Sequence, residues 1–194
     1  MSTKSKYLRN RRKSNFFMNL FDLVFESKKE GGQEIRDYLF FRNYIGLKGN
    51  YVEYHARKCR IRVEPAYREK REKRDGTLHH ITLVTKKELQ SAVDKLVKED
   101  PVKYSSLSVT HLASSFIQNI SESVRNEWAA KGIGKVVENT NEGNTNEAYF
   151  IVVEWKSFNE WRKKRGFEEK DLHITLGFKE KDIHDVKKDT STLI

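Results

Sequence analysis

Two histidines stand in the same four-residue context in separate halves of the chain: His80-Ile81-Thr82-Leu83 and His173-Ile174-Thr175-Leu176. Histidine titrates near neutral pH, so one imidazole can accept a proton while the other, protonated, donates one. Threonine hydroxyls can hydrogen-bond to the phosphate oxygens on which charge accumulates in a transition state. The set therefore suits general acid–base chemistry on a phosphodiester, with His80 and His173 as catalytic residues and Thr82 and Thr175 as phosphate-binding residues.

Both motifs lie in stretches whose composition is typical of strands, residues 78–84 and 171–178. Side chains two residues apart in a strand share a face, so His80 and Thr82 point one way and Ile81 points the other. The second motif alternates in the same way. The apolar face of each strand would pack into a core, and the face that carries the histidine and the threonine would line a groove.

The other histidines fit this pattern less well. His79 is next to a candidate catalytic residue and must face the opposite side of the strand, so we interpret it as a core or edge residue. His55 could line the groove, whereas His111 and His184 have no partner pattern. No histidines or carboxylates have the spacing of a zinc site, so we expect no metal.

The paired motifs resemble the signature of the two-histidine (2H) phosphoesterase superfamily, over roughly residues 51–178. That superfamily includes RNA 2′,3′-cyclic phosphodiesterases, RNA 2′-5′ ligase-like proteins and 2′-5′ oligoadenylate phosphodiesterases. The resemblance implies a bilobal fold and metal-independent catalysis by His80 and His173, with the threonines on the phosphate. Many members have a small or polar residue where this chain has Leu83 and Leu176, so the motif indicates the reaction type and leaves the substrate open.

The composition favours a nucleic-acid partner. The chain has 38 lysine and arginine residues against 28 aspartate and glutamate residues, a formal net charge of +10. Such an excess favours polyanions, of which nucleic acid is the usual one, although it can also serve solubility alone. We therefore expect an RNA or oligonucleotide substrate. The basic run at residues 68–74 is either a flexible flap over the groove or a solvated loop.

Cellular location and assembly follow from what the sequence lacks. Cys59 is the single cysteine, which excludes an internal disulfide and indicates a reducing compartment, the cytoplasm or the nucleus. No apolar run is long enough to span a membrane, and residues 1–13 lack the apolar core of a secretory signal. We expect a monomer that needs no cofactor.

The surrounding elements predict an α+β fold. Apolar periodicity predicts helices over residues 15–28, 33–44, 86–98, 114–130 and 157–164, the last capped by Ser157. Alternation predicts strands over residues 51–55, 58–63, 107–112, 134–137 and 148–155. We expect two lobes of mostly antiparallel sheet with outer helices and a central groove. Residues 1–13 would form a basic flexible arm and residues 14–194 a single bilobal domain with N-terminal helices, loose from Lys187 onward.

Three functions remain open at this point. The first is a phosphodiesterase that acts on RNA ends with a 2′,3′-cyclic phosphate or on 2′-5′ linkages, in RNA processing or repair. The second is a 3′ exonuclease that leaves cyclic phosphate ends. The third is a basic RNA-binding module without catalysis, in which the two motifs occur by chance or as relics.

Overall fold

A computed structural model describes residues 23–30, 33–139 and 143–194. Their strands are β1 Leu23–Glu30, β2 Gln33–Phe41, β3 Ile45–Gly49, β4 Ile81–Val84, β5 Ala129–Asn139, β6 Thr145–Glu154 and β7 Leu172–Phe178. Their helices are α1 Asn50–Arg60, α2 Pro65–Asp75, α3 Lys86–Glu99, α4 Val109–Ser123 and α5 Lys156–Lys164, followed by a 3₁₀ turn at Thr190–Thr192. The predicted α+β class is confirmed. The predicted basic arm lies outside the described residues.

The described strands form one sheet in the order β1-β2-β3-β4-β7-β6-β5, with every neighbouring pair antiparallel. The first four strands come from one half of the chain and the last three from the other. The expected pair of sheets is therefore wrong for the described residues. Ile81 of β4 pairs directly with Ile174 of β7, so the two halves join edge to edge into a continuous sheet.

One face of the sheet packs against the helices to form the core. Ile81, Leu83, Ile174 and Leu176, the apolar residues of both motifs, are fully buried there. The same cluster takes in apolar residues of four helices: Val52 and Ala56, Leu89, Ile117 and Ile120, Phe158 and Trp161. Each such leucine, isoleucine or phenylalanine contributes roughly 1.5–3 kcal/mol when buried. This packing fixes the motif strands and turns their histidine face away from the core.

The largest errors of the sequence prediction lie before the first motif. The predicted helix over residues 15–28 is wrong in its described part, because residues 23–30 form β1. Residues 33–44 were expected to be a helix, but residues 33–41 form β2, which pairs with strands on both sides. Residues 51–55 and 58–63 were expected to be strands, whereas residues 50–60 form α1. Val52 and Ala56 show the reason: they are four residues apart and fully buried, which is a helical period hidden within a short stretch that also alternates.

The basic run at residues 68–74 is part of α2, so the interpretation as a flexible flap or loop is wrong. Pro65 starts the helix, where its missing N–H costs nothing, and Gly76 follows it with a φ of +86°. The last turn of α2 therefore holds Arg74 in a fixed place. The middle of the chain was also misassigned in part, because residues 109–123 form a single helix, α4.

Several predictions after the first motif are confirmed. Helix α3 begins with a capping box in which Thr85 and Glu88 satisfy each other's backbone N–H groups. Strands β5 and β6 form the predicted hairpin. Helix α5 is present, but Trp155 is its N-cap residue, and the Ser157 hydroxyl instead donates to the carbonyl of Arg125 over 3.3 Å.

The C-terminal segment was expected to be loose and is instead attached to β5. The backbone N–H of Ile194 donates to the carbonyl of Ile133 over 3.0 Å, and Leu193 forms a bridge with Gly134. A β-carbon at Gly134 would lie 2.7 Å from the Thr192 hydroxyl, so only glycine allows this close approach. Earlier in the same segment, the backbone N–H of Lys188 donates to the carboxylate of Asp171, just before β7.

Candidate active site

The register of the two central strands brings both motifs together. Because β4 and β7 are antiparallel and Ile81 pairs with Ile174, continuing the register by one residue in each direction places His80 opposite Thr175 and Thr82 opposite His173. Directly opposite side chains on one face have β-carbons roughly 4.5–5.5 Å apart. All four side chains are partly exposed. Two imidazoles and two hydroxyls thus line one face at the join between the halves of the chain.

His80 lies among aromatic side chains. Its Nε2 is 3.1 Å from the hydroxyl of Tyr44, whose ring centroid is 5.3 Å away, and the ring of Phe40 approaches edge-on at 6.1 Å. Gly46, opposite Thr82 in β3, makes room for the Phe40 ring, because a β-carbon there would lie 2.6 Å from it. The site thus depends on β2 and β3, which the sequence prediction did not associate with it.

The charge state of His80 follows from burial. Loss of solvent lowers the pKa of His80 from 6.5 to about 4; Asp75 opposes the change, and Arg74 and Arg71 add to it. Burial likewise raises the pKa of the Tyr44 hydroxyl that contacts it. His80 is therefore neutral at physiological pH until an anion approaches and favours its charged form.

His173 has a different set of partners. Its Nδ1 lies 2.9 Å from the carbonyl oxygen of Asp171, which can only accept, so the proton is assigned to Nδ1 and the lone pair to Nε2. That Nε2 lies 3.3 Å from the ammonium of Lys188, which can only donate. Burial and the Lys188 charge lower the pKa of His173 from 6.5 to about 3.

Lys188 belongs to a buried ionic network beside the motif strands. Its ammonium donates to one carboxylate oxygen of Asp182 over 3.0 Å, and the Arg74 guanidinium donates to the other over 2.9 Å. The Thr175 hydroxyl also lies 3.4 Å from Asp182. Burial alone would raise the pKa of Asp182, but Lys188 and Arg74 lower it from 3.8 to about 2. One carboxylate thus holds two cations and a motif hydroxyl in fixed positions.

Sequence reasoning missed Tyr44, Arg74, Asp182 and Lys188. Three of them lie outside any motif, and Arg74 lies in a run of charges that offered no reason to choose it. Lys188 was the hardest of the four to predict, because it lies in the C-terminal segment that was expected to be loose. Its backbone N–H donates to the carboxylate of Asp171 over 3.0 Å, which fixes it next to His173.

The structure places His79, His55 and His111 away from this face. His79 is only 4% exposed and its Nδ1 lies 3.2 Å from the Glu53 carboxylate, which confirms the predicted core position. His55 lies in α1 and not in a strand that lines the site. His111 lies exposed in the first turn of α4.

A pocket of about 360 Å³ adjoins the His173 half of the site. Its lining includes Val152, Asp171 and Lys188. Val152 is the direct partner of His173 in the β6–β7 pairing, and the other two contact His173. The four motif side chains do not line this pocket, so it borders the site through the residues that contact or pair with His173.

The family comparison agrees with this geometry. A family model described as "Swiss Army Knife, 2H phosphoesterase domain" matches residues 43–184, which include both motifs, Arg74 and Asp182. A search of curated proteins and a search of solved structures each gave no significant match. In the described part of the chain, no helix has the length and apolar character needed to cross a bilayer.

Proposed function

The chain belongs to the 2H phosphoesterase family, and from that membership we propose that it is a metal-independent phosphodiesterase acting on RNA ends, either 2′,3′-cyclic phosphates or 2′-5′ linkages. Phosphodiesterase-type hydrolysis follows from the family. The two-histidine mechanism is supported by one observation above all: the β4–β7 register sets His80 opposite Thr175 and Thr82 opposite His173. RNA processing or repair, within the cytoplasm or nucleus, would be the setting.

In the proposed reaction, water attacks the phosphorus of the cyclic phosphate and loses its proton to one imidazole. The other imidazole gives its proton to the leaving ribose oxygen, so that the ring opens and a phosphomonoester remains. We assign the base role to His173, because its Nδ1–H is held by the Asp171 carbonyl and its Nε2 carries the lone pair. His80 would be the acid, because the charge of the approaching phosphate, together with Asp75, would favour the protonated form that burial disfavours in the free protein.

The threonines and the neighbouring cations would hold the phosphate. Thr82 would donate to a non-bridging oxygen, where negative charge increases in the transition state, and Thr175 would do the same by turning its hydroxyl proton away from Asp182. Lys188 lies 3.3 Å from His173 Nε2, close enough to move its hydrogen bond from the imidazole to a phosphate oxygen. That exchange would free Nε2 to accept the proton of the attacking water.

The RNA part of the proposal is supported by charge. A net charge of +10 attracts a polyanion, and such binding weakens with added salt, because the release of counterions from the nucleic acid then gains less entropy. The pocket beside His173 could take the nucleoside attached to the phosphate. A 3′ exonuclease that leaves cyclic ends would use the same residues, but the base would take its proton from the ribose 2′-hydroxyl in place of water, and the acid would protonate the leaving 5′-oxygen of the released nucleotide.

The decisive experiment is turnover of a short RNA ending in a 2′,3′-cyclic phosphate, in excess EDTA. We expect wild type to open the ring and His80→Ala and His173→Ala each to lower kcat by about 10²-fold or more. His111→Ala, an exposed histidine in α4, serves as the matched control and should keep full activity.

Other outcomes redirect the proposal. If the cyclic phosphate survives, 2′-5′-linked RNA and RNA with a 3′-hydroxyl are tested next, and release of cyclic-ended nucleotides would identify the exonuclease. Wild type that turns over none of these substrates, with RNA affinity unchanged in both histidine variants, would instead favour a binding module.

A further inference from the structure

A second pocket lies on the reverse side of the two motif strands. It has a volume of about 240 Å³, and its lining includes three arginines together with His79 and Leu176. These last two residues directly adjoin His80 and Thr175 in the chain, and alternation turns their side chains to the opposite face of the sheet. The pocket is therefore separate from the catalytic face.

The arginines of this pocket carry unused hydrogen-bond donors. Arg71 is only 5% exposed, and its Nη1 donates to the carbonyls of Gly76 over 2.9 Å and Leu78 over 3.3 Å. Its Nε is buried and has no partner, and the same holds for the Nε of Arg68. Buried donors are nearly always satisfied, and leaving one unpaired costs about 1–3 kcal/mol. Two such donors along one pocket call for an acceptor.

Three arginines against two glutamates leave the pocket lining with a net positive charge, although Asp75, Glu72 and Glu53 favour the charged form of Arg71. Arg60 is the third lining arginine, and Glu69 and Glu72 also line the space. None of the ion pairs found among residues 36–139 and 143–194 joins either glutamate to these arginines. The pocket wall also includes Pro65 in the first turn of α2, so the partial positive charge of that helix N-terminus lies near the pocket.

We propose that this pocket binds a phosphate group. Arginine matches phosphate because its planar N–H groups can donate in pairs to two oxygens. A volume of 240 Å³ lies below the roughly 300–1,000 Å³ of pockets that enclose whole drug-sized ligands, so the pocket suits a phosphate more than an entire nucleotide. The phosphate is either the free ion or the terminal phosphate of an oligonucleotide. The proposal does not depend on the catalytic one.

The test is an NMR titration of the full-length chain with inorganic phosphate at low ionic strength. We expect saturable shifts of the backbone amides of Thr77 and Leu176. The double variant Arg60→Gln/Arg68→Gln should bind at least tenfold more weakly while keeping a dispersed spectrum. Lys73→Gln, an exposed lysine of α2 outside the pocket lining, is the control and should bind like wild type.

Contrary results are easy to recognise. Shifts confined to the catalytic face around Thr82, or an equal loss of affinity in Lys73→Gln, would overturn the proposal, because the first places the phosphate elsewhere and the second reduces binding to net surface charge. Catalytic failure leaves this readout untouched, since it concerns binding on the opposite face.

The source of the phosphate is separated by a second titration with a deoxydinucleotide, with and without a 5′-phosphate. Tighter binding of the phosphorylated form than of inorganic phosphate would identify an oligonucleotide end. Equal affinity for the two would identify the free ion. Equal shifts from the phosphorylated and unphosphorylated dinucleotides would contradict the proposal, because the phosphate group would then contribute nothing.

Discussion

His80 and His173 occupy matching positions in two neighbouring strands, yet their surroundings differ in kind. His80 contacts the hydroxyl of Tyr44 and the edge of Phe40. His173 contacts a backbone carbonyl and the ammonium of Lys188. Identical tetrapeptides thus give one imidazole an aromatic environment and the other an ionic one. The strand register sets where the imidazoles lie, while residues far along the chain set how readily each is protonated.

The difference has a structural origin in the two halves of the chain. The first motif is covered by β2 and β3, which precede it, and the second by the C-terminal segment, which follows it. The second half therefore relies on a buried ion pair, whereas the first relies on one hydrogen bond and ring contacts. Substitutions in the second half should have the larger effects.

The largest effect is expected for Asp182→Asn. Removing this carboxylate leaves Lys188 buried without its counterion, because both side chains of the pair are only 4% exposed. Breaking a buried pair by removing one partner typically costs about 3–5 kcal/mol. Urea unfolding at neutral pH measures the loss, with Asp185→Asn as an exposed aspartate control.

The pH dependence of this loss gives a second check. The folded pKa of Asp182 is lowered to about 2, so the unfolded chain takes up its proton at higher pH than the folded chain. The stabilisation is therefore complete above the unfolded pKa, roughly 3.9, and disappears as pH falls toward 2. A gap between wild type and Asp182→Asn that stays constant down to pH 2 would contradict this assignment.

Lys188→Met should bring the pKa of His173 closer to that of His80. Burial remains the main cause of the lowered pKa of His173, so removing the adjacent ammonium should raise that pKa only part of the way from about 3 toward 6.5. The pKa of His80 should hardly change. Loss of a donor to the phosphate should also lower kcat by roughly 10²-fold.

Histidine NMR titration of Lys188→Met measures both pKa values in the same sample. Lys187→Met, at the exposed neighbouring position, is the matched control. Equal pKa changes at both histidines would show a long-range charge effect in place of a contact, and an unchanged His173 would remove Lys188 from the explanation.

The sequence predicted the part of the site that rests on local alternation and left out the part that rests on long-range contacts. His80, Thr82, His173 and Thr175 follow from a period of two within strands, and the burial of Ile81 and Ile174 confirms that period. No short-range signal relates Lys188 to His173, because their contact depends on the attachment of the chain end to β5.

The errors in secondary structure have the same cause. Residues 33–41 and 50–60 carry apolar residues at spacings that fit either a helix or a strand over a few residues. Residues 33–41 form a strand because β2 pairs with both of its neighbours. Residues 50–60 form a helix because one face of α1 is buried. The joining of the halves through β4 and β7 likewise depends on pairing between residues far apart in the chain, so two sheets were expected where the described residues form one.

Tyr44→Phe is the smallest of the expected effects and tests the aromatic half alone. It removes one hydrogen bond of 3.1 Å to His80 Nε2 and leaves the ring in place. A single hydrogen bond contributes about 0.5–1.5 kcal/mol, so kcat should fall only severalfold. Because burial is the main cause of the lowered pKa of His80, that pKa should stay near 4.

Tyr104→Phe, in a surface turn far from either motif in sequence, controls for the loss of a hydroxyl. A fall in kcat as large as that of Lys188→Met would mean that Tyr44 itself contacts the reacting phosphate, and the contrast between an aromatic and an ionic half of the site would then fail.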